Sequence, residues 1–457
     1  MRVQNTKFVC TLGPASESPE VLAKLMKAGM DVARLNFSHG SYENHAMLIR
    51  RIRAAAKKVN VPLAIMQDLQ GPKIRIGKID DTKVTKGREI VLTCGPKSDK
   101  KIPVQYKGLY KDVKKGSLLL VDDGLIQLKV TRKRQKDIYC KVLNSGVIRA
   151  NKGINVPNAT ISTSPITAKD KKDLKFGLTQ DIDYVALSFV EEAKDIHDLR
   201  KLIGSKNVKI VAKIERREAV ENLEEIIEAS DALMVARGDL AMEIGPEKVP
   251  IVQKEMIRLC NLAGKPVITA TQMLASMVNN PTPTRAEVSD IANSIYDHSD
   301  GIMLSNETAV GKYPVKAVQM FAKVATQVES QLKKYDHLLP VRQIHDRNVL
   351  LDALGMEVCK LAEKTKADKI IVVTEDDKQA RYVSKHRSYI PTIVITKSKK
   401  TANQLALLWG INDIKIGKVT QKNYLKDIKK LLRKEKGKKV AILFANSKQN
   451  HIVSTTL

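Results

Sequence analysis

Lys213 and Glu215 close the apolar run Val208 to Ala212. Residues two apart on a strand point to one face, so an ammonium and a carboxylate aim into the same place. A second apolar run, Leu233 to Ala236, ends in Arg237, Gly238 and Asp239 and delivers another carboxylate. Two carboxylates beside a lysine suit a divalent metal next to a fixed cation. A lone Lys-x-Glu pair reads equally well as a salt bridge between strand ends. Here polar residues end many apolar runs at once: Arg34, Asn36, Ser38 and His39, then Asp68, then Thr271, then Ser305 with Glu307.

These residues need a scaffold that gathers strand ends. Eight short apolar segments alternate with helical patterns: Phe8 to Leu12, Val32 to Phe37, Leu63 to Asp68, Tyr184 to Ser188, Val208 to Ile214, Ala232 to Ala236, Pro266 to Ala270 and Gly301 to Leu304. Eight such strands with crossover helices, one of them expected as a continuous helix over Arg217 to Ala229, predict an α/β fold of the (β/α)8 TIM-barrel class. Its active site is then expected at the C-terminal strand ends. After the third strand the texture changes to β-branched runs and Gly or Asp turns, which predicts an inserted small β-barrel lid domain. Alternation resumes late in the chain with Ile370 to Thr374, Thr392 to Thr396 and Val440 to Phe444, an open-sheet α/β domain. The expected units are residues 1–71 and 154–333 for the barrel, 72–153 for the lid and 334–457 for the C-terminal domain.

A chain of 457 residues with 43% hydrophobic content can bury several cores. No apolar stretch approaches the roughly 18 residues of a membrane span, and no signal-peptide core follows Met1. The five cysteines show no C-x-x-C spacing, so a reducing cytoplasm is the expected compartment. A formal net charge of +29 raises nucleic-acid binding. Aromatic content of 4% leaves few stacking platforms, and the basic residues are spread along the chain, so no specific nucleic-acid partner is expected. A diffuse positive field also draws small anionic substrates.

The strings Cys10 to Ser16 (CTLGPAS), Ala33 to His39 (ARLNFSH), Val211 to Glu215 (VAKIE), Val235 to Asp239 (VARGD), Ala270 to Leu274 (ATQML) and Met303 to Thr308 (MLSNET) resemble those of pyruvate kinases, in order and from about residue 6 onward. The resemblance implies phosphoryl transfer from phosphoenolpyruvate to ADP in glycolysis, by a homo-oligomer, typically a tetramer. It implies Glu215 and Asp239 as ligands of Mg²⁺ or Mn²⁺, and Lys213 and Arg34 on the transferring phosphoryl group. It further implies Gly238 and Asp239 amides at the substrate carboxylate, with Thr271, and secondarily Ser305, in the relay that protonates the enolate. For the nucleotide it points to Asn36, His39, Arg75 and Lys152.

Many members hold K⁺ at positions matching Asn36, Ser38, Asp68 and the carbonyl of Leu69, and carry Glu where this chain has Lys73. A tethered ammonium there leads to the expectation that K⁺ is not required. In the C-terminal domain, Glu375, Asp376 and Asp377 stand where members activated by a sugar bisphosphate place phosphate-binding groups, so that activation is not expected. Two other readings stay open at this point: a metal-dependent barrel lyase acting on pyruvate or phosphoenolpyruvate, and a basic RNA-associated protein.

Overall fold

The computed structural model describes residues 4–96, 98, 100–157, 159, 161, 163–335, 349–445 and 450–457. Residues 1–3 and 336–348, inside the expected first and last units, lie outside the described residues. Eight parallel strands close a barrel in sequential order: β1 (Lys7–Thr11), β2 (Met30–Asn36), β3 (Ala64–Asp68), β4 (Tyr184–Leu187), β5 (Lys209–Ile214), β6 (Ala232–Ala236), β7 (Val267–Ala270) and β8 (Gly301–Leu304). Nearly every strand residue is buried, because the inner face meets the barrel centre and the outer face meets helices.

The helices carry local stop and start signals. The first, Pro19–Ala28, is capped by the Ser18 side chain, opens on proline and ends at Gly29 with φ 118°. That left-handed conformation is one in which a side chain is disfavoured. The expected single helix over Arg217 to Ala229 is instead two, Arg217–Glu221 and Leu223–Ala229. Asn222 breaks it: its backbone leaves the helical region and its side-chain Nδ2 donates to the Glu191 carbonyl at 2.9 Å, a tertiary bond to another loop.

Strand parity decides what reaches the barrel mouth. Val32, Met66, Ala186 and Val211 belong to the core inside the barrel. Two residues further along the same strands stand Arg34, Asp68, Ser188 and Lys213, so these side chains form the next layer toward the C-terminal end. The opposite end of the interior is plugged by Ala406 and Leu407 from the C-terminal part of the chain. Leu407 is fully buried, worth roughly 2 kcal/mol of apolar transfer.

Between β3 and β4 lies an open six-stranded sheet with a two-stranded ribbon beside it, around a core of its own. The C-terminal sheet is open and five-stranded, in the order Ile411–Ile416, Thr392–Thr396, Lys369–Val373, Lys439–Ala445 and Asn450–Thr456, with only the last strand antiparallel. Among the described residues, no helix is long and apolar enough to cross a membrane.

Candidate active site

Asp68, at the tip of β3, organises the mouth. Its Oδ2 accepts from Arg34 Nε at 2.6 Å and pairs with Arg34 Nη2 at the same distance, while Lys213 Nζ lies 3.2 Å from Oδ1. Burial opposes the charge of Asp68, but Lys213 and Arg34 outweigh it and hold the carboxyl below its ordinary range. Arg34 is steadied further by Thr11 Oγ1 at 2.8 Å. The ammonium of Lys213 also reaches Glu215 Oε1 at 3.0 Å and donates to Ser188 Oγ at 2.6 Å. Burial disfavours that ammonium, yet Asp68 and Glu215 together raise its pKa. Lys213 is therefore a charged, nearly dry cation in the layer above the barrel core.

The two carboxylates differ. Glu215 is buried, and its pKa is pushed up by burial and by Asp239, against the pull of Lys213. Its Oε2 accepts the Phe189 amide at 2.8 Å, from a loop that holds Phe189 at φ 57°. A bulky residue in the left-handed region is strained backbone, kept where the surroundings over-determine it. Asp239 stands in the first turn of the helix Arg237–Ile244, a favourable place for an anion. Burial is its largest single influence, but Lys73, Lys213 and a hydrogen bond from Asn155 lower its pKa.

Mutual repulsion between Glu215 and Asp239 marks a place where a cation is favoured. No group of three or more metal-ligating side chains occurs among the described residues. Two carboxylates nonetheless fit Mg²⁺ or Mn²⁺, since such ions keep several positions for water and substrate oxygens.

The loop after β7 is held by Arg237. Its Nε donates to the Ala270 carbonyl at 3.0 Å and its Nη2 to the Thr271 carbonyl at 2.6 Å, with Nη1 on Asp290 at 2.7 Å. Thr271 takes φ 69° and Gln272 φ 55°, a strained pair under that clamp. The Thr271 hydroxyl donates to the Ala270 carbonyl at 2.7 Å and accepts the Gly238 amide at 3.1 Å. Thr271 and Gly238 thus meet, with the Gly238 amide engaged by the Thr271 hydroxyl. Ser305 follows the neighbouring strand β8 and donates its amide to Glu307 Oε2 at 2.7 Å, while Oε1 of Glu307 accepts from the Leu274 amide and ties the two loops together.

The expected nucleotide residues fall into two pairs. Asn36 accepts the Ser38 amide at 3.0 Å, and His39 is exposed on the same loop. Arg75 donates to the Asn151 carbonyl at 2.9 Å, and Lys152 pairs with Asp122 at 3.0 Å, both at the hinge of the inserted sheet. No hydrogen bond or ion pair among the described residues joins the two pairs. The hairpin turn Asp122, Asp123 and Gly124 is left-handed throughout and packs over the helix Arg237–Ile244, where a Cβ on Gly124 would lie 3.4 Å from Met242 Sδ.

Of the expected monovalent-cation set, Asp68 is taken up by Arg34 and Lys213, and the Leu69 carbonyl accepts from Ser188 Oγ at 2.7 Å. Lys73 does not join this set. Its ammonium sits 2.8 Å from Asp239 Oδ1 instead, because the bridge between Arg75 and Gly153 draws the segment toward that helix while two cations already neutralise Asp68. Sequence reasoning missed Ser188, which links Leu69 to Lys213. A hydroxyl at the C-terminal end of the fourth apolar run was the available signal. It also missed His45, which stacks on Phe37 at 4.0 Å and bonds the His39 carbonyl at 2.9 Å, bracing that loop.

Comparison with known proteins bears on this geometry directly. Residues 3–318 match the family described as pyruvate kinase, barrel domain, and residues 352–454 match pyruvate kinase, alpha/beta domain. The chain belongs to the pyruvate kinase family. It is similar to the pyruvate kinase of Clostridium acetobutylicum, 43% identical over 420 residues covering 90% of this chain and 89% of the relative. Pyruvate kinases of Staphylococcus epidermidis (44% over 420 residues, 90% and 72% covered) and Staphylococcus saprophyticus (45% over 418 residues, 90% and 71% covered) are also similar. As a member of the pyruvate kinase family it is a phosphotransferase. The barrel, the inserted sheet and the C-terminal α/β unit are those of the pyruvate kinase fold.

Proposed function

We propose that this chain transfers the phosphoryl group of phosphoenolpyruvate to ADP, giving pyruvate and ATP at the pyruvate-forming step of glycolysis in the cytoplasm. The observation that carries this reading is the dry ammonium of Lys213, held among Asp68, Glu215 and Ser188 within one barrel layer of Arg34. Phosphoryl transfer passes through a loose, highly charged arrangement, and fixed cations that need no reorganisation stabilise it. The Arg34 fork suits two phosphoryl oxygens, while Lys213 sits on the bridging oxygen. The bond from phosphorus to the enol oxygen breaks, one to a β-phosphate oxygen of ADP forms, and Lys213 stabilises the enolate left behind. The hydroxyl of Thr271 orders protonation at the methylene carbon, with Ser305 in support. Amides of Gly238 and Asp239, at a helix start, would face the substrate carboxylate, that of Gly238 exchanging its bond to Thr271 Oγ1 for it.

Glu215 and Asp239 would hold Mg²⁺ or Mn²⁺, whose charge offsets the negative oxygens of both substrates. Asn36, His39, Arg75 and Lys152 would bind the nucleotide once the inserted sheet brings its hinge residues toward the β2 loop. A lyase reading is weaker, because it gives the cations of that hinge nothing to bind.

Lys73 brings a permanent positive charge to Asp239. Asp68, the one charged member of the set Asn36, Ser38, Asp68 and Leu69, is already paired with Arg34 and Lys213, and with Lys73 adding a fixed charge at Asp239 turnover is expected without K⁺. Pyruvate formation from phosphoenolpyruvate and ADP, followed through coupled reduction to lactate in buffer free of K⁺ and NH₄⁺, tests both parts. Absence of ADP-dependent pyruvate under any salt rejects the reaction, whereas activity that appears only with K⁺ rejects the role of Lys73. A homotetramer is proposed from the family likeness and is checked by light scattering.

A further inference from the structure

We propose that one face of the C-terminal α/β unit docks RNA through its phosphate backbone, without sequence preference. The face is built on the helix Tyr424–Leu431 and the short turn Arg433–Glu435 that follows it. Burial along this stretch has a helical period. Ile428 and Leu432 are buried in the core beneath, with Leu425 and Leu431 packed against it, while Lys426, Lys429, Lys430, Arg433 and Lys434 are exposed. Five cations therefore crowd one side of a stretch of nine residues, and the exposed Lys436, Lys438 and Lys439 follow directly.

Few acids answer this charge. Between Lys418 and Lys439 the chain carries ten basic residues and two acidic ones, Asp427 and Glu435. Glu435 pairs with Lys369 of the neighbouring strand at 3.2 Å. Bonds from the Thr420 hydroxyl at 2.7 Å and amide at 2.8 Å, and then the nearby Lys430 and Lys426, hold the Asp427 carboxyl below its ordinary range. Its Oδ2 is thus already engaged. Lys429, Arg433 and Lys434 form no hydrogen bond or ion pair among the described residues. Lys426 and Lys430 stand one helical turn apart, a spacing at which like charges repel.

The chemistry of the face selects its partner. No large hydrophobic side chain between Lys418 and Lys439 is exposed, because those of the helix are turned into the core. Helices that lie on a membrane put an apolar face into the lipid, and protein interfaces are anchored by aromatic or apolar side chains. This face offers neither, since its aromatic ring, Tyr424, lies against Phe444 and His451. What remains is a row of charges. Lys426, Lys430 and Lys434 recur every four residues, a step of about 6 Å in a helix. Such a row suits a linear polymer with a charge on every nucleotide, whose condensed counterions are released on contact. Without a free ring on which bases stack, the contact carries no sequence preference.

Full-length protein is titrated into a dye-labelled, mixed-sequence single-stranded RNA, and fluorescence anisotropy is read between about 50 and about 200 mM salt. With one phosphate for each of the five exposed cations, at a log–log slope of about 0.7 per contact, affinity is expected to fall roughly a hundredfold over that range. The triple variant Lys426→Gln, Lys430→Gln, Lys434→Gln keeps two of these contacts, so its fall shrinks to less than about tenfold and its binding at low salt weakens at least about tenfold. Glutamine matches the helix propensity of lysine and removes a repulsion, so this variant melts at the same temperature as wild type or higher. Lys24→Gln, Lys27→Gln, Lys58→Gln is an equal charge loss on exposed residues of the first two barrel helices and leaves the salt dependence unchanged. Vesicles rich in phosphatidylserine do not displace the RNA. Absence of saturable binding, equal weakening in the two triple variants, or displacement by the vesicles overturns the proposal.

Discussion

Replacing Lys73 by glutamine is expected to tighten binding of Mn²⁺ in the absence of substrates. The Lys73 ammonium lies 2.8 Å from Asp239 Oδ1, with the two side chains about a quarter exposed, 24% and 23%. At an effective dielectric near 20 the bare attraction is about 6 kcal/mol. Desolvation and side-chain ordering cancel most of it, and partly exposed pairs retain about 1 kcal/mol. A divalent ion that uses Asp239 must displace or share this partner, so its removal strengthens the ion by about 1 kcal/mol, roughly fivefold in Kd. Titration calorimetry of Mn²⁺ into the full chain at low ionic strength reads this directly. The metal-free variant moves the other way. Asp239 has a depressed pKa in the fold, so its pairing stabilises above the ordinary carboxyl value of 3.8 and is lost as pH falls through the folded pKa. The variant therefore melts lower than wild type at pH 7 and equally in strong acid. Unchanged or weaker Mn²⁺ binding would show that Lys73 does not compete for the metal carboxylate.

Lys213→Met leaves Asp68 and Glu215 buried without their shared ammonium. It should cost about 3 to 5 kcal/mol of stability and at least about a thousandfold in turnover, and wild-type melting in urea would contradict the geometry. Burial pushes Glu243 up to about 7, against the pull of Arg216. The folded state then keeps a proton that the unfolded chain releases above 4.5, so wild-type stability falls as pH rises from there to about 7. Glu243→Gln removes that loss and should be more stable at pH 8 by up to about 3 kcal/mol, with no difference at pH 4. Urea unfolding at both values checks the sign. Arg237→Lys cannot hold two carbonyls and Asp290 at once. Release of the left-handed turn at Thr271 should lower kcat about tenfold, with KM for ADP unmoved in steady-state assays.

Much of the barrel was legible because β-branched strands between helical periods leave few alternatives. The first two helices, Pro19–Ala28 and Tyr42–Val59, follow from their caps and apolar spacing. The break at Asn222 was not legible, since its cause is a carbonyl of Glu191 on another loop. At the site, Lys213, Glu215 and Asp239 announce themselves as charges ending apolar runs. Ser188 does not, because a serine after a strand is commonplace until Leu69 and Lys213 are seen on either side of it.

By itself, then, the sequence determined which side chains share a strand face, and so that Arg34, Asp68 and Lys213 reach one end of a barrel. That is a local property, fixed by the two-residue period of a strand. Only the tertiary structure decided which charges pair. Lys73 is as close in sequence to Asp68 as any candidate, yet it spends its charge on Asp239, 166 residues away. Ion pairing depends on distance and burial in space, and both are set by the way the inserted sheet returns to the barrel.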